Sequence, residues 1–324
     1  MSATVPVTSP RQRQRSCPAP DLAAVRASLR CATATQWDSG ALRTAWRQVH
    51  ESWLVTKARE IGAVAGSGFA VIATGSLGRR ELLPHSDLDL LLLHDDMPGD
   101  AVGVMAEALW YPLWDANVRL DHSVRTIPQA LEVAGSDILA GLAMLDARHI
   151  AGDEQLSARL IAGVQQQWRH GIGSRYEELL DITHSRWHRS GEIASSAEPD
   201  LKCGRGGLRD VQLLDALAVA DVAGRSNVRR LHDRRTSLRS AYRTVLDVRT
   251  ELHRACGRGH DVLSAQYADE ISGALGLDDR HDLAARLFDA AQRISQCVDA
   301  ALNNLPYRRM SDNLPYRRMS AARA

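Results

Sequence analysis

Long apolar runs are missing from this chain of 324 residues: the longest candidate, Leu88–Leu93, is interrupted by Asp89, whereas a membrane span needs about 18 apolar residues. No membrane association is expected. Cysteine is scarce and odd in number; Cys17, Cys31, Cys203, Cys256 and Cys297 fall at no CxxC or Cys/His spacing. That excludes a fully paired disulfide framework, gives no zinc signature and suits the cytosol. The first twenty residues carry Arg11, Arg13 and Arg15 but no apolar h-region, so they do not read as a signal peptide. Lysine is almost absent, at Lys57 and Lys202 only, so arginine fills nearly every basic position. What is present is the balance of a globular protein: 44% hydrophobic and 24% charged residues, with Lys+Arg 40 against Asp+Glu 39, which excludes a mostly disordered or fibrous chain.

The length suggests about two domains. Residues 1–20 read as a disordered tail. From Leu22 to Arg59 helix-formers dominate, with Trp46 and Trp53 seven apart on one face, before glycines punctuate the chain at Gly62, Gly66 and Gly68. Phe69–Thr74 and Leu88–Leu93 are short apolar runs of strand type, Asp100–Asn117 returns to a helical pattern, and Val118–Val124 alternates with period two. Residues 21–150 are therefore expected to form one α/β unit with a helical prelude. No convincing strand follows Ile150; helices are expected at Glu154–His170, Ser174–Ser190, Leu208–Val222, Val228–Cys256 and Asp279–Asn303, giving an all-α bundle over 151–304. Leu231, Leu238, Val245 and Leu252 recur every seven residues, a buried stripe. The octapeptide NLPYRRMS occurs twice, at Asn304–Ser311 and Asn313–Ser320, too briefly for a solenoid, and 305–324 is read as a duplicated disordered tail.

Chemistry concentrates between Thr74 and Leu90. A strand ends in Gly75-Ser76, a turn and short helix follow, and the next strand opens with Asp87-x-Asp89. Strand residues i and i+2 project to one face, so these two carboxylates stand together. Their repulsion invites a cation, and Mg²⁺ is bound by one or two carboxylates plus the phosphates of a substrate. Glycine lets the backbone approach a phosphate closely, while the Ser76 hydroxyl and free amides of the turn offer hydrogen bonds to it. A two-metal centre wants one further carboxylate on a neighbouring strand. Alternation puts Arg119, Asp121, Ser123 and Arg125 on a polar face and Val118, Leu120 and Val124 on an apolar one, which favours Asp121; Asp115, near the end of the preceding helix, is the rival and reads as structural. The pair Asp95-Asp96 lacks a glycine turn and reads as a solvated loop.

Three ordered motifs carry a family resemblance. GSLGRRELLPHSDLDLLLL, from Gly75 to Leu93, resembles the GGxGRxELxPxSDxDLLLL run of the bacterial PII uridylyltransferase/uridylyl-removing enzyme family, departing at Ser76 and Arg80, where glycines are common. LWDANVRLDHSVRT, from Leu113 to Thr126, resembles LWDxGxxxxHSVRT with Asn117 in place of glycine, and Leu201–Asp210 resembles LKxGxGGLRD with Cys203 and Arg205 departing. Asp121 falls at a variable position of the second motif. The resemblance implies an α+β polymerase-β-like nucleotidyltransferase domain with a mixed sheet, followed by a helical bundle. It implies transfer of UMP from UTP to a tyrosine of the PII nitrogen-regulatory protein, with Mg²⁺ (or Mn²⁺) and release of pyrophosphate; some relatives use ATP. Asp87, Asp89 and Asp121 are the catalytic and metal-binding candidates, and Gly75, Ser76, Arg79, Lys202 and Arg209 the nucleotide-binding ones. Full-length members continue into an HD phosphohydrolase and two ACT domains, which a chain this short is not expected to hold, so neither nucleotide removal nor ACT-based glutamine sensing is expected.

Other features read plainly. His232-Asp233, His260-Asp261 and His281-Asp282 lack the surrounding HD pattern and are taken as helix-surface pairs. Between Arg225 and His260 ten arginines face three acids, including Arg235, Arg239 and Arg243 on one helical face, but aromatics are scarce and no nucleic-acid partner is expected. Arg79 and Arg209 have candidate ion-pair partners in Glu81 and Asp210. Two other functions compete: an inactive remnant or PII-binding regulatory module, and nucleotidyl transfer to a small molecule.

Overall fold

A computed structural model describes residues 19, 21–32, 37–220 and 228–303; both expected tails lie outside these, save residue 19. The helical prelude divides into α1 (Leu22–Ala32) and α2 (Ser39–Glu60), the latter capped by Asp38, whose side chain accepts the Ala41 amide at 2.7 Å. Then follow β1 (Phe69–Ala73), the single turn α3 (Gly75–Gly78), β2 (Leu88–His94), α4 (Gly99–Asp115), β3 (Leu120–Arg125), α5 (Ile127–Ser136), α6 (Ile138–Met144) and β4 (Arg148–Gly152). The four strands make one mixed sheet in the order β3-β2-β1-β4, with β1 antiparallel to both β2 and β4 and β2 parallel to β3.

Every residue of β1 is buried, as a central strand covered on both faces requires. On one face Phe69, Val71, Ala73, Leu88, Leu90 and Leu92 pack against α2 and α4; on the other Ala70, Ile72, Leu91 and Leu93 pack against α5 and α7 (Glu154–Gly171). β4 is the strand that hydrophobic patterning does not show. Its run Arg-His-Ile-Ala-Gly has two buried residues, Ile150 and Ala151, and its extended form is imposed by pairing with β1.

The remaining elements are helical: α8 (Tyr176–Ser190), α9 (Leu208–Val219), α10 (Val228–Cys256), a 3-10 turn (Ala265–Tyr267), α11 (Ala268–Ala274) and α12 (Arg280–Asn303). The fold is thus α+β followed by an all-α region. Val245 and Leu252 of the heptad stripe are fully buried between α9, α11 and α12, and Leu238 packs against that core. Each such leucine contributes about 1.5–3 kcal/mol by burial. The Leu231, His232, Asp233 and Arg235 side chains lie outside the described residues, as do residues 221 and 222 of the helix expected to end there.

The two regions share a boundary. Leu83, from the loop before β2, is buried in the helical core beside Leu201 and Leu208. Ser39 donates to Glu251 at 2.6 Å, Arg43 pairs with Asp247 at 2.6 Å, and the Tyr242 hydroxyl donates to Glu81 at 2.6 Å. No helix among the described residues is long and apolar enough to cross a membrane.

Candidate active site

Strand pairing decides where the carboxylates meet. In the β2–β3 ladder Asp89 stands opposite Asp121, so both side chains leave the same face of the sheet on adjacent strands. Asp87, the residue before Leu88, is exposed at the mouth of β2. Asp89 is half-buried, and its pKa is pushed from 3.8 up to about 6, first by burial and then by the charges of Asp121 and Asp87; Arg79 and Lys202 offset part of the rise. The group is therefore held in mutual repulsion, with the arginine and lysine fields reaching it from outside.

The glycine turn is built around the same carboxylate. Gly75 adopts φ +53°, and a Cβ at that position would lie 2.0 Å from Asp89 Oδ2, so no other residue fits without moving the aspartate. The Thr74 amide donates to the Asp89 carbonyl at 2.9 Å, tying the turn to β2. Within the turn the amides of Gly78 and Arg79 donate to Thr74 and Gly75, whereas those of Gly75, Ser76 and Leu77 donate to no carbonyl of the described chain. The Ser76 hydroxyl lies 3.5 Å from the Asp87 carbonyl, at the outer limit of a hydrogen bond.

The expected cations are placed differently from one another. Arg79 closes α3 and pairs with Glu81 (3.0 Å) and Asp146; burial pulls its pKa down, but these two carboxylates hold it above its ordinary value. Glu81 is the partner that sequence proximity suggests, while Asp146 arrives from the α6–β4 link with no local signal. Lys202 lies 3.8 Å from Asp261. Arg209, in the first turn of α9, forms no ion pair with Asp210 but donates to Gln212 at 3.0 Å; burial and then the neighbouring Arg79 lower its pKa. Asp210 instead is fully buried and accepts from Arg186 (2.7 Å), Trp187 Nε1 (2.9 Å) and the Gly206 amide (2.7 Å), which fixes the glycine-rich turn between Leu201 and Leu208.

Some residues depart from their expected places. Asp261 is not a helix-surface residue: it sits in the loop after α10, half-buried, 2.7 Å from Arg249 and 3.6 Å from His253. Burial raises its pKa, but the nearby His253 and the Arg249 charge outweigh that and hold it well below the carboxylate range. His281 and Asp282 do lie on a helix surface, with Asp282 3.4 Å from Arg286. Val124, assigned to an apolar face, is 36% exposed, on a strand at the edge of the sheet. The rival Asp115 is the exposed last residue of α4, and Asp95 and Asp96 are exposed.

One partner has no signal in the sequence. Arg119 binds Asp87 at 2.7 Å through Nε and donates to the His85 carbonyl at 2.7 Å. Alternation places Arg119 on the polar face; only the ladder turns it to Asp87. Among the described residues no three His, Cys, Asp or Glu side chains already converge on one cation position. The donor set nevertheless suits Mg²⁺ or Mn²⁺ in kind. It offers hard oxygen ligands whose repulsion already lifts the Asp89 pKa, and its one competing ion pair joins side chains 65% and 53% exposed, so opening it costs little.

The GlnD PII-uridylyltransferase family model matches residues 174–302. Bifunctional uridylyltransferase/uridylyl-removing enzymes of two Mycobacterium tuberculosis strains are 56% identical over 304 residues, covering 93% of this chain and 38% of theirs. Those of Streptomyces coelicolor and Corynebacterium glutamicum are 43% and 40% identical, covering 79% and 75% of this chain and 30% and 34% of theirs. The chain thus spans well under half the length of these curated relatives. Among solved structures, a chain of a mutant MntA-HpeT toxin-antitoxin pair is 13% identical with a TM-score of 0.26, covering 41% of this chain and 97% of its own, too loose a superposition to bear on the fold. On its three motifs and on matches running over nearly its whole length, the chain belongs to the PII uridylyltransferase family.

Proposed function

We propose that the chain is a metal-dependent nucleotidyltransferase that transfers UMP from UTP, or AMP from ATP, to a tyrosine hydroxyl of a PII-type signalling protein. The observation that carries this reading is the register of Asp89 with Asp121 beside a glycine turn that a side chain would close. In the reaction a bond forms between the phenolic oxygen and the α-phosphorus, the α–β phosphoanhydride bond breaks, and pyrophosphate leaves with the electron pair.

Asp87, Asp89 and Asp121 would hold Mg²⁺ or Mn²⁺, which supplies charge neutralisation at the α-phosphate and the leaving group. The free amides of Gly75, Ser76 and Leu77 are donors for phosphate oxygens, and Lys202 and Arg209 bring positive charge from the helical side. A tyrosine phenol has a pKa of about 10, so the nucleophile needs help losing its proton. Asp121, the exposed carboxylate of the facing pair, would receive it. The scarcity of cysteine supports a cytosolic setting for the activity.

The test is incubation of the chain and a PII-type protein with each α-labelled triphosphate in Mg²⁺ or Mn²⁺, followed by mass mapping of the labelled residue. Label on an acceptor tyrosine is expected. No label from any nucleotide, with acceptor binding that survives Asp89→Asn, would replace this reading by that of a binding module.

A further inference from the structure

We infer that the outer edge of β3 is the docking site for the acceptor, which adds to the sheet as an extended segment carrying its hydroxyl residue; the inference rests on the nucleotidyltransferase reading. Leu88 donates to the Arg119 carbonyl at 2.9 Å, which fixes the phase of the parallel ladder. Residues 119, 121, 123 and 125 turn their backbone groups toward β2, and Leu120, His122 and Val124 turn theirs outward. Among the described residues nothing pairs with that edge, since β3 ends the sheet. A bare edge is an open template for another strand, and proteins that leave one uncovered commonly use it.

Both faces beside this edge are equipped. On one stands Asp121, a single strand spacing of about 4.8 Å from any strand added outside β3, with Asp89 one strand further in. On the other His122 lies against Trp110 (5.0 Å between ring centroids) and Trp114 (5.5 Å), and Tyr111 meets Trp114 edge-on at 5.5 Å. Tyr111, Trp114 and Val124 are 55%, 42% and 36% exposed, an unusual concentration of surface apolar groups in a chain with 5% aromatics. Side chains of an added strand alternate between the faces. A tyrosine directed at Asp121 would therefore have its immediate neighbours directed at Trp114 and Tyr111, so the segment recognised is an extended one with an apolar residue next to the tyrosine. Main-chain bonds supply the affinity and the alternate side chains the selectivity.

Val124→Pro tests this directly. It deletes an outward amide while the ladder bonds of Ser123 and Arg125 to β2 remain, and proline is tolerated on an edge strand. In transfer assays with a PII-type protein, the KM for that protein is expected to rise at least tenfold in Val124→Pro and in Trp114→Ala, with the KM for the triphosphate changed less than twofold. An unchanged acceptor KM in Val124→Pro overturns the inference. A second measurement needs neither turnover nor a variant of the enzyme. Hydrogen exchange at the His122 and Val124 amides should slow at least tenfold when a PII-type protein with its acceptor tyrosine changed to phenylalanine is added. No slowing, or slowing that instead follows enzyme concentration without acceptor, overturns the proposal, the latter in favour of self-association. If wild type transfers no label yet these amides are protected, the catalytic reading fails and the docking edge stands.

Discussion

Asp89→Asn separates the electrostatic account of the site from a purely structural one. The folded chain holds this carboxyl near a pKa of 6 instead of 3.8, so its ionised form is destabilised by about two pH units, each worth about 1.4 kcal/mol. Asp89 is partly solvent-facing and therefore screened, which leaves about 1–3 kcal/mol. A carboxyl whose folded pKa exceeds its unfolded one contributes stability below the unfolded value and loses it as pH rises through the folded value. In metal-free protein the asparagine variant should thus match wild type near pH 4 and exceed it above pH 6, by a few degrees in Tm for a chain of this size. Mn²⁺ should reverse the order, raising the Tm of wild type and leaving the variant unmoved. The assay is thermal unfolding followed by circular dichroism between pH 4 and 8, in chelator and then in Mn²⁺. A variant less stable than wild type at pH 8 in chelator would show that Asp89 is a favourable structural acceptor, and the repulsion argument would fail.

Gly75→Ala, which forces a Cβ into Asp89 at a positive φ, should cost about 1–3 kcal/mol and abolish the nucleotide-induced rise in Tm, as scanning fluorimetry would record. Asp210→Ala leaves the buried Arg186, Trp187 and Gly206 donors unpaired and should lower stability by about 3–5 kcal/mol in urea titration. Tyr242→Phe removes the hydroxyl bonded to Glu81 across the two regions and should cost about 1–2 kcal/mol, read as a shift in the urea midpoint. Arg119→Ala frees Asp87 from an exposed pair; its Tm should stay within a degree or two, while Mn²⁺ binds more tightly by electron paramagnetic resonance titration.

Much of the site was legible because its signals are local. The Gly-Ser turn, the Asp-x-Asp spacing and the alternation around Asp121 depend on backbone geometry over two to four residues; β1 and β2 followed from short apolar runs, and β3 and the long helices from the period of their apolar residues. Patterning failed where pairing supplies the order. β4 is extended because β1 holds it, and α5 and α6 lie in a stretch where periodicity alone marks no separate helices. Asp261 resembled a surface acid until the fold surrounded it with Arg249, His253 and Lys202.

The sequence by itself determined which groups exist to do chemistry: a glycine-serine turn, two aspartates two residues apart, a third on an alternating strand, and a lysine before a second glycine turn. Tertiary structure alone decided that Asp121 faces Asp89, that Arg79 is also held by Asp146, that Arg119 rests on Asp87, and that β3 is left at the edge of the sheet. The division has a physical cause. Local sequence fixes the direction of a side chain relative to its own backbone, whereas charge interactions and free sheet edges depend on which distant strand lies alongside, and that is set only when the core closes.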